Sequence, residues 1–135
     1  MSTLIAQNVQ SNTSSAPVFK NNSGTEKGQL AKAWVNLRGD TVTSTADMTG
    51  VRDSFNVSSV TDNATGRYTV SFTTAMSNSN YCVVSSGHYF ETTVTNNARE
   101  VGANNLTTSN YMLNVTYNGS TNQDAANVFS AVFGD

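Results

Sequence analysis

One cysteine and one histidine bound the nucleophilic chemistry open to this chain. Cys82 and His88 are six positions apart and near a hairpin-like pair of segments, so a thiol–imidazole dyad is one reading. The other reading makes Cys82 a small buried strand residue and His88 an exposed turn residue, and it is the preferred one. No Gly-x-Ser-x-Gly elbow is present. Glycoside cleavage would need two carboxylates facing each other across a cleft. The nine acids are Glu26, Asp40, Asp47, Asp53, Asp62, Glu91, Glu100, Asp124 and Asp135. Most fall in turn-like or terminal segments, where carboxylates are ordinarily just solvated; mutation of Asp53 or Glu91 without loss of hydrolytic activity would dispose of a surface depolymerase. A tetrahedral zinc site takes about four Cys or His ligands, and two exist. Asp62-Asn63 is the nearest approach to a calcium loop, but a hairpin turn explains it better. With no glycine-rich phosphate loop, no catalytic, metal or cofactor site is expected. Arg38-Gly39-Asp40 spells a recognition tripeptide in the context of a plain turn, and Asn-x-Ser/Thr triplets such as Asn56-Val57-Ser58 follow from composition.

Any such residues must be positioned by a thin core. The 135 residues are one domain's worth. They are 37% hydrophobic and 12% charged, against about 45–50% and about 25% in ordinary soluble domains. Ser, Thr and Asn fill the gap, at about 40% of the chain. A net charge of −2 with six Phe, five Tyr and one Trp argues for folding over disorder. A folded chain with little to bury is expected to bury more between copies. The seven Lys and Arg are scattered, which argues against nucleic acid. No apolar run approaches the roughly 18 residues of a membrane span, so membrane insertion is not expected. The opening Met1-Ser2-Thr3-Leu4-Ile5 has neither a basic nor an apolar region of a secretion signal. A lone cysteine forms no disulfide within the chain, in keeping with synthesis in a reducing cytoplasm.

Residues 1–30 read as a polar, unpatterned arm with two apolar anchors, Leu4-Ile5 and Val18-Phe19, for attachment or subunit contacts. From Ala31 to Asp135 the pattern is β. Ala31, Ala33, Val35 and Leu37 alternate with Lys32, Trp34 and Asn36, which is strand periodicity. Thr41 to Gly50 is an irregular strand or a loop. Val51 to Ser58 and Tyr68 to Thr73 alternate around the turn formers 62–66, a hairpin signature. Tyr81 to Ser85 reads as a short buried strand paired with His88 to Thr95, and Arg99 to Gly102 is ambiguous. Tyr111 to Tyr117 alternates again. Asn127 to Phe133 puts Val128 and Val132 on one face and Phe129, Ala131 and Phe133 on the other, so this strand is central or at an interface. Short strands punctuated about every ten residues, with no helical period, indicate an all-β antiparallel sandwich or barrel-like domain.

Tyr, Asn, Ser and Thr are also the palette of surfaces that bind sugars or proteins. Tyr89, Tyr111, Tyr117 and the loop at Asn104-Asn105 are the candidate binding surface. Cross-strand packing is the competing and favoured explanation for the tyrosines.

Two stretches carry a family resemblance: AKAWVNL, from Ala31 to Leu37, and VRDSFNVSSVTDNATGRYTVSFTTAM, from Val51 to Met76. With the lead-in from Ser23 to Trp34 they resemble a module of bacteriophage tail-fibre-like proteins, over roughly residues 16 to 84 and thus about half the chain. The resemblance implies a β-rich, trimeric protein of the virion surface, assembled in the bacterial host cytoplasm, and assigns no catalytic residue. Its partners would be further copies, other phage virion proteins of fibre, tail or capsid, and a host surface glycan or protein. Arg38 to Gly50 replaces the short Gly-Thr turn usual after the Trp-Val-Asn strand, and the chain lacks a long anchoring region before Ala31. The expected function is therefore a tail-fibre-type structural protein contributing to host attachment. A capsid decoration or head-fibre protein docked through Leu4, Ile5, Val18 and Phe19 is the alternative, and a polysaccharide depolymerase is the third reading.

Overall fold

The computed structural model describes residues 18–89 and 98–134. The chain divides at Leu30/Ala31 into two units. In the first, β1 (Val18–Lys20) and β2 (Glu26–Gln29) form an antiparallel hairpin. Asn21 organises its turn: Oδ1 accepts hydrogen bonds from the Thr25 amide and the Ser23 hydroxyl, both at 2.8 Å. This corrects the expectation of an unpatterned segment up to Gln29. An Asx-type turn is a local device and needs no apolar alternation to announce it.

The second unit is built from β3 (Ala33–Leu37), β4 (Val51–Phe55), β5 (Val57–Ala64), β6 (Arg67–Phe72), β7 (Cys82–His88), β8 (Ala98–Asn104), β9 (Asn110–Tyr117), β10 (Thr121–Asn122) and β11 (Asn127–Phe133). All pairings are antiparallel, in the order β4-β3-β11-β7-β8-β9-β6-β5, with β10 on β9. A single 3-10 turn, Gly39–Thr41, is the only helical element among the described residues. The expected all-β, barrel-like class is what forms. Two four-stranded halves, β4-β3-β11-β7 and β8-β9-β6-β5, wrap one core and meet at two seams. One seam is the short β7–β8 pairing, Gly87 with Arg99 and His88 with Ala98. The other is covalent, because β4 runs into β5 through Asn56 alone.

Asn56 makes that corner. Its φ of 56° lies in the left-handed region that Asn tolerates better than most residues. Its amide donates to the carbonyls of Lys32 and Thr74 at 3.1 Å, and its Oδ1 accepts from the Thr74 amide at 2.7 Å. The corner also reverses the side-chain phase: Phe55 points out of one half, and Val57 points into the core of the other. The continuous alternation expected from Val51 to Ser58 is thereby corrected. A second slip, a bulge between Asn36 and Leu37, lets Val51 face inward while Asp53 and Phe55 face outward.

The β5–β6 turn is tighter than the sequence suggests, since Ala64 pairs with Arg67 and only Thr65 and Gly66 lie between. Gly66 has φ 66°, and a Cβ there would sit 2.5 Å from the Val115 carbonyl oxygen. Inward residues alternate along each strand: Ala33, Val35 and Leu37; Tyr68, Val70 and Phe72; Tyr111, Leu113 and Val115; Val128, Ser130 and Val132. Each fully buried Val or Leu contributes on the order of 1.5–3 kcal/mol. Phe72, Tyr81 and Tyr111 pack ring on ring, with centroids 5.5–6.5 Å apart. Residues 42–50 form a loop, and its 43–47 stretch lies along β5 with three backbone hydrogen bonds, Asp47 N to Val60 O, Val60 N to Asp47 O and Asp62 N to Thr43 O.

Candidate functional site

The residues singled out for catalysis are dispersed. Cys82 opens β7 and His88 closes it, roughly 20 Å apart at the rise of an extended strand, so they form no dyad. β7 pairs along its whole length with β11, from Cys82 opposite Phe133 to His88 opposite Asn127; of the partner expected for Tyr81 to Ser85, His88 belongs to β7 itself and residues 90–95 lie outside the described residues. β7 is not a buried strand, because Cys82, Val84 and Ser86 face out of the sheet. Asp53 is exposed on β4, and Glu91 lies outside the described residues. In Arg38-Gly39-Asp40 the two charged groups pair with each other, Arg38 Nε to Asp40 Oδ1 at 2.8 Å, and Gly39 is buried against the Tyr68 hydroxyl.

Two carboxylates do converge at one end of the barrel. Asp124 Oδ1 accepts hydrogen bonds from the Gly66 amide and the Tyr68 hydroxyl, both at 2.7 Å. Asp62 stands opposite Tyr68 on β5. Burial, and then the charge of Asp124, raise the Asp62 carboxyl above its ordinary range. Burial and the bond to Asp124 raise the Tyr68 phenol in the same direction. Asp62 and Asn63 belong to β5 rather than to the turn. No group of three or more His, Cys, Asp or Glu that could hold a metal is found among the described residues.

The candidate binding surface separates into three places. Tyr111 is a core residue, fully buried with its hydroxyl 2.7 Å from that of Ser130, and it offers nothing to a partner. Tyr89 and Tyr117 come together around Arg99, whose guanidinium carbon is 4.5 Å from the centre of each ring. Cation–π contacts contribute about 0.5–2 kcal/mol according to their exposure, so these rings tie the ends of β7, β8 and β9 to each other. Asn104 and Asn105 are exposed at the far end of β8, roughly 17 Å from Arg99 along the strand. Of the arm residues, Leu4 and Ile5 lie outside the described residues. Val18 begins β1, and Phe19 is exposed there.

The most distinctive surface was only half seen in the sequence. On the outer face of the β4-β3-β11-β7 half, Phe55 stands opposite Trp34, Trp34 opposite Ala131, and Ala131 opposite Val84, one straight row across four strands. Phe129 and Phe133 flank Ala131 along β11, and Cys82 stands opposite Phe133. Phe55 is 54% exposed, Val84 59%, and Trp34, Phe129 and Phe133 between 36 and 40%. The outer face of the other half is built from Ser59, Thr61, Arg67, Thr69, Ser71, Asn110, Met112, Asn114, Thr116, Asn104 and Glu100. One half therefore shows water a Ser/Thr/Asn lattice and the other shows it aromatic rings. The doubly apolar pattern of Asn127 to Phe133 announced this on β11. The phase of Trp34, opposite to Ala33, Val35 and Leu37, was the second signal.

Comparison with protein-family models, with curated proteins and with solved structures finds no match to this chain.

Proposed function

We propose that this chain is a structural protein of the bacteriophage virion surface, of tail-fibre type, working as a homotrimer and contributing to host attachment. The observation that carries the reading is the two-faced sandwich. An aromatic outer face on a chain so poor in apolar residues belongs to an assembly, and the opposite Ser/Thr/Asn face suits solvent and glycan contact. The resemblance of Ala31–Leu37 and Val51–Met76 to tail-fibre-like proteins supplies the virion setting, and those stretches are β3, β4, β5 and β6, the frame of both halves. Host contact is assigned to Asn104, Asn105 and Tyr117, all exposed, and it gains strength through copy number rather than single-site affinity. The protein has no enzymatic role in this reading.

The test is immunogold labelling of intact virions with antibody to this chain. Label on the tail or its fibres is the expected result. Label over the head would replace host attachment with capsid decoration, and particles without label would overturn the virion reading.

A further inference from the structure

We infer that the outer face of the β4-β3-β11-β7 half is the self-association surface of this protein, and that its occupant is a second copy of the chain. The inference rests on the homo-oligomeric part of the reading above and adds where the copies meet.

Three properties of the face select a copy of itself over other partners. The first is shape. Ala131 sits at the centre of a cross whose arms are Trp34 and Phe55 on one side, Val84 on the other, and Phe129 and Phe133 along the strand. The small centre leaves a dip between bulky side chains, which a ring from a second copy fills. The second is charge. At the upper end of the face Arg52 reaches across to Asn127 Oδ1 at 2.8 Å, and Asp53 stands beside it on β4. That end of the face thus sets one cation beside one carboxylate, complementary to the same pair on a second copy, while Lys32, in phase with Trp34, lies at the opposite end. The face has no basic cluster for anionic lipid or nucleic acid. Few polar groups lie among the rings to orient a sugar: Asn36 and Ser86 are the ones in the row beside Phe129.

The third is area. Four strands spaced about 4.8 Å apart, each about five residues long, span on the order of 300–350 Å². Specific interfaces bury about 800 Å² on each partner. The face by itself is less than half of that, so its contact is weak and forms when copies are concentrated side by side on a particle.

Cys82 is a built-in reporter, because it is exposed and stands opposite Phe133 on the same face. The experiment is sedimentation equilibrium of the full chain from about 1 µM to about 1 mM, with the rate of Cys82 modification by a thiol reagent followed over the same range. The expected result is a rise in mass accompanied by slowing of Cys82 modification. Phe55→Ser and Val84→Glu, at positions more than half exposed, should raise the association midpoint at least about tenfold without changing the thermal midpoint of the dilute monomer. Thr69→Glu on the polar face should leave association unchanged. A dimer with Cys82 covered would support the inference and overturn the trimer. An oligomer with reactive Cys82, indifferent to Phe55→Ser and Val84→Glu, would overturn the inference and leave the homo-oligomer standing. A monomer at the highest concentration overturns both. A monomer whose Cys82 is protected at every concentration means that another segment of the chain covers the face, which also overturns the inference.

Discussion

The hydroxyls of Tyr111 and Ser130 share a 2.7 Å hydrogen bond in the middle of the core, joining β9 of one half to β11 of the other. Both are placed on inward positions otherwise filled by Leu113, Val115, Val128 and Val132. Each hydroxyl is satisfied only by its partner's presence, and a buried polar group left alone costs about 1–3 kcal/mol. Tyr111→Phe and Ser130→Ala should each lower stability by about that amount, and the double variant by clearly less than the sum. Urea unfolding of the four proteins measures the coupling; strict additivity would mean that the bond contributes nothing.

Burial pushes the Tyr111 phenol up to about 12. Its folded value lies above the unfolded one, so its contribution to stability is complete below about pH 10 and is lost as pH rises from there through the folded value. Unfolding midpoints measured between pH 9 and 12 should fall in the wild type. Tyr111→Phe should reduce that slope.

Asn56 should be sensitive in two separable ways. Asn56→Gly keeps a residue comfortable at φ 56° but loses three side-chain hydrogen bonds. Asn56→Ala loses the bonds and adds left-handed strain of about 1–2 kcal/mol. Alanine should therefore be the worse substitution by about 1 kcal/mol. Equal losses would place the whole effect in the hydrogen bonds.

Asp62 is raised by burial and by Asp124. A raised carboxyl contributes stability that is complete below its unfolded value and is lost as pH rises through the folded value. Asp62→Asn removes the charge and should gain stability at neutral pH, with a flatter profile between pH 4 and 7. Asp47 works in the opposite sense. The Thr49 amide lowers its carboxyl, so its contribution is present above the unfolded value and disappears on acidification. A steeper profile in Asp62→Asn would sink the assignment.

Removing residues 1–30 should leave the second unit folded and self-associating, since its core draws only on residues from Ala33 onward. If the arm attaches the protein to the particle, the shortened chain should be missing from purified virions. Incorporation at normal copy number would remove that role from Leu4, Ile5, Val18 and Phe19.

The elements legible in the sequence are those in which one residue type per face runs without interruption. β11 spans Asn127–Phe133 as its two apolar faces implied, and it is central, between β3 and β7. β9 follows the Tyr111–Tyr117 alternation. Illegible were places where the backbone resets the phase: the Asn36/Leu37 bulge and Asn56, each invisible to a fixed period of two. β8 was missed as a full strand because Glu100, Gly102 and Asn104 carry no apolar signal; its outer positions meet solvent. The candidate surface failed for a related reason. Tyr is equally at home under a sheet and on it, and nothing in the pattern around Tyr111 separates it from Tyr117. Arg99 was legible as a residue but not as the centre of a ring stack, which needs the ends of three strands brought together.

The loop lying along β5 has a bearing on how this protein survives carrying an adhesive face. Thr43 to Asp47 occupies hydrogen-bonding groups that β5, last in the strand order, would otherwise offer to any passing chain. The β4–β5 end of the order is likewise sewn together by Asn56. Sheet extension by strand addition, the usual route from a sticky β protein to fibrils, is therefore discouraged at its natural starting point. Stickiness remains on a broad side of the molecule, where self-contact can close on itself and stop at a finite number of copies.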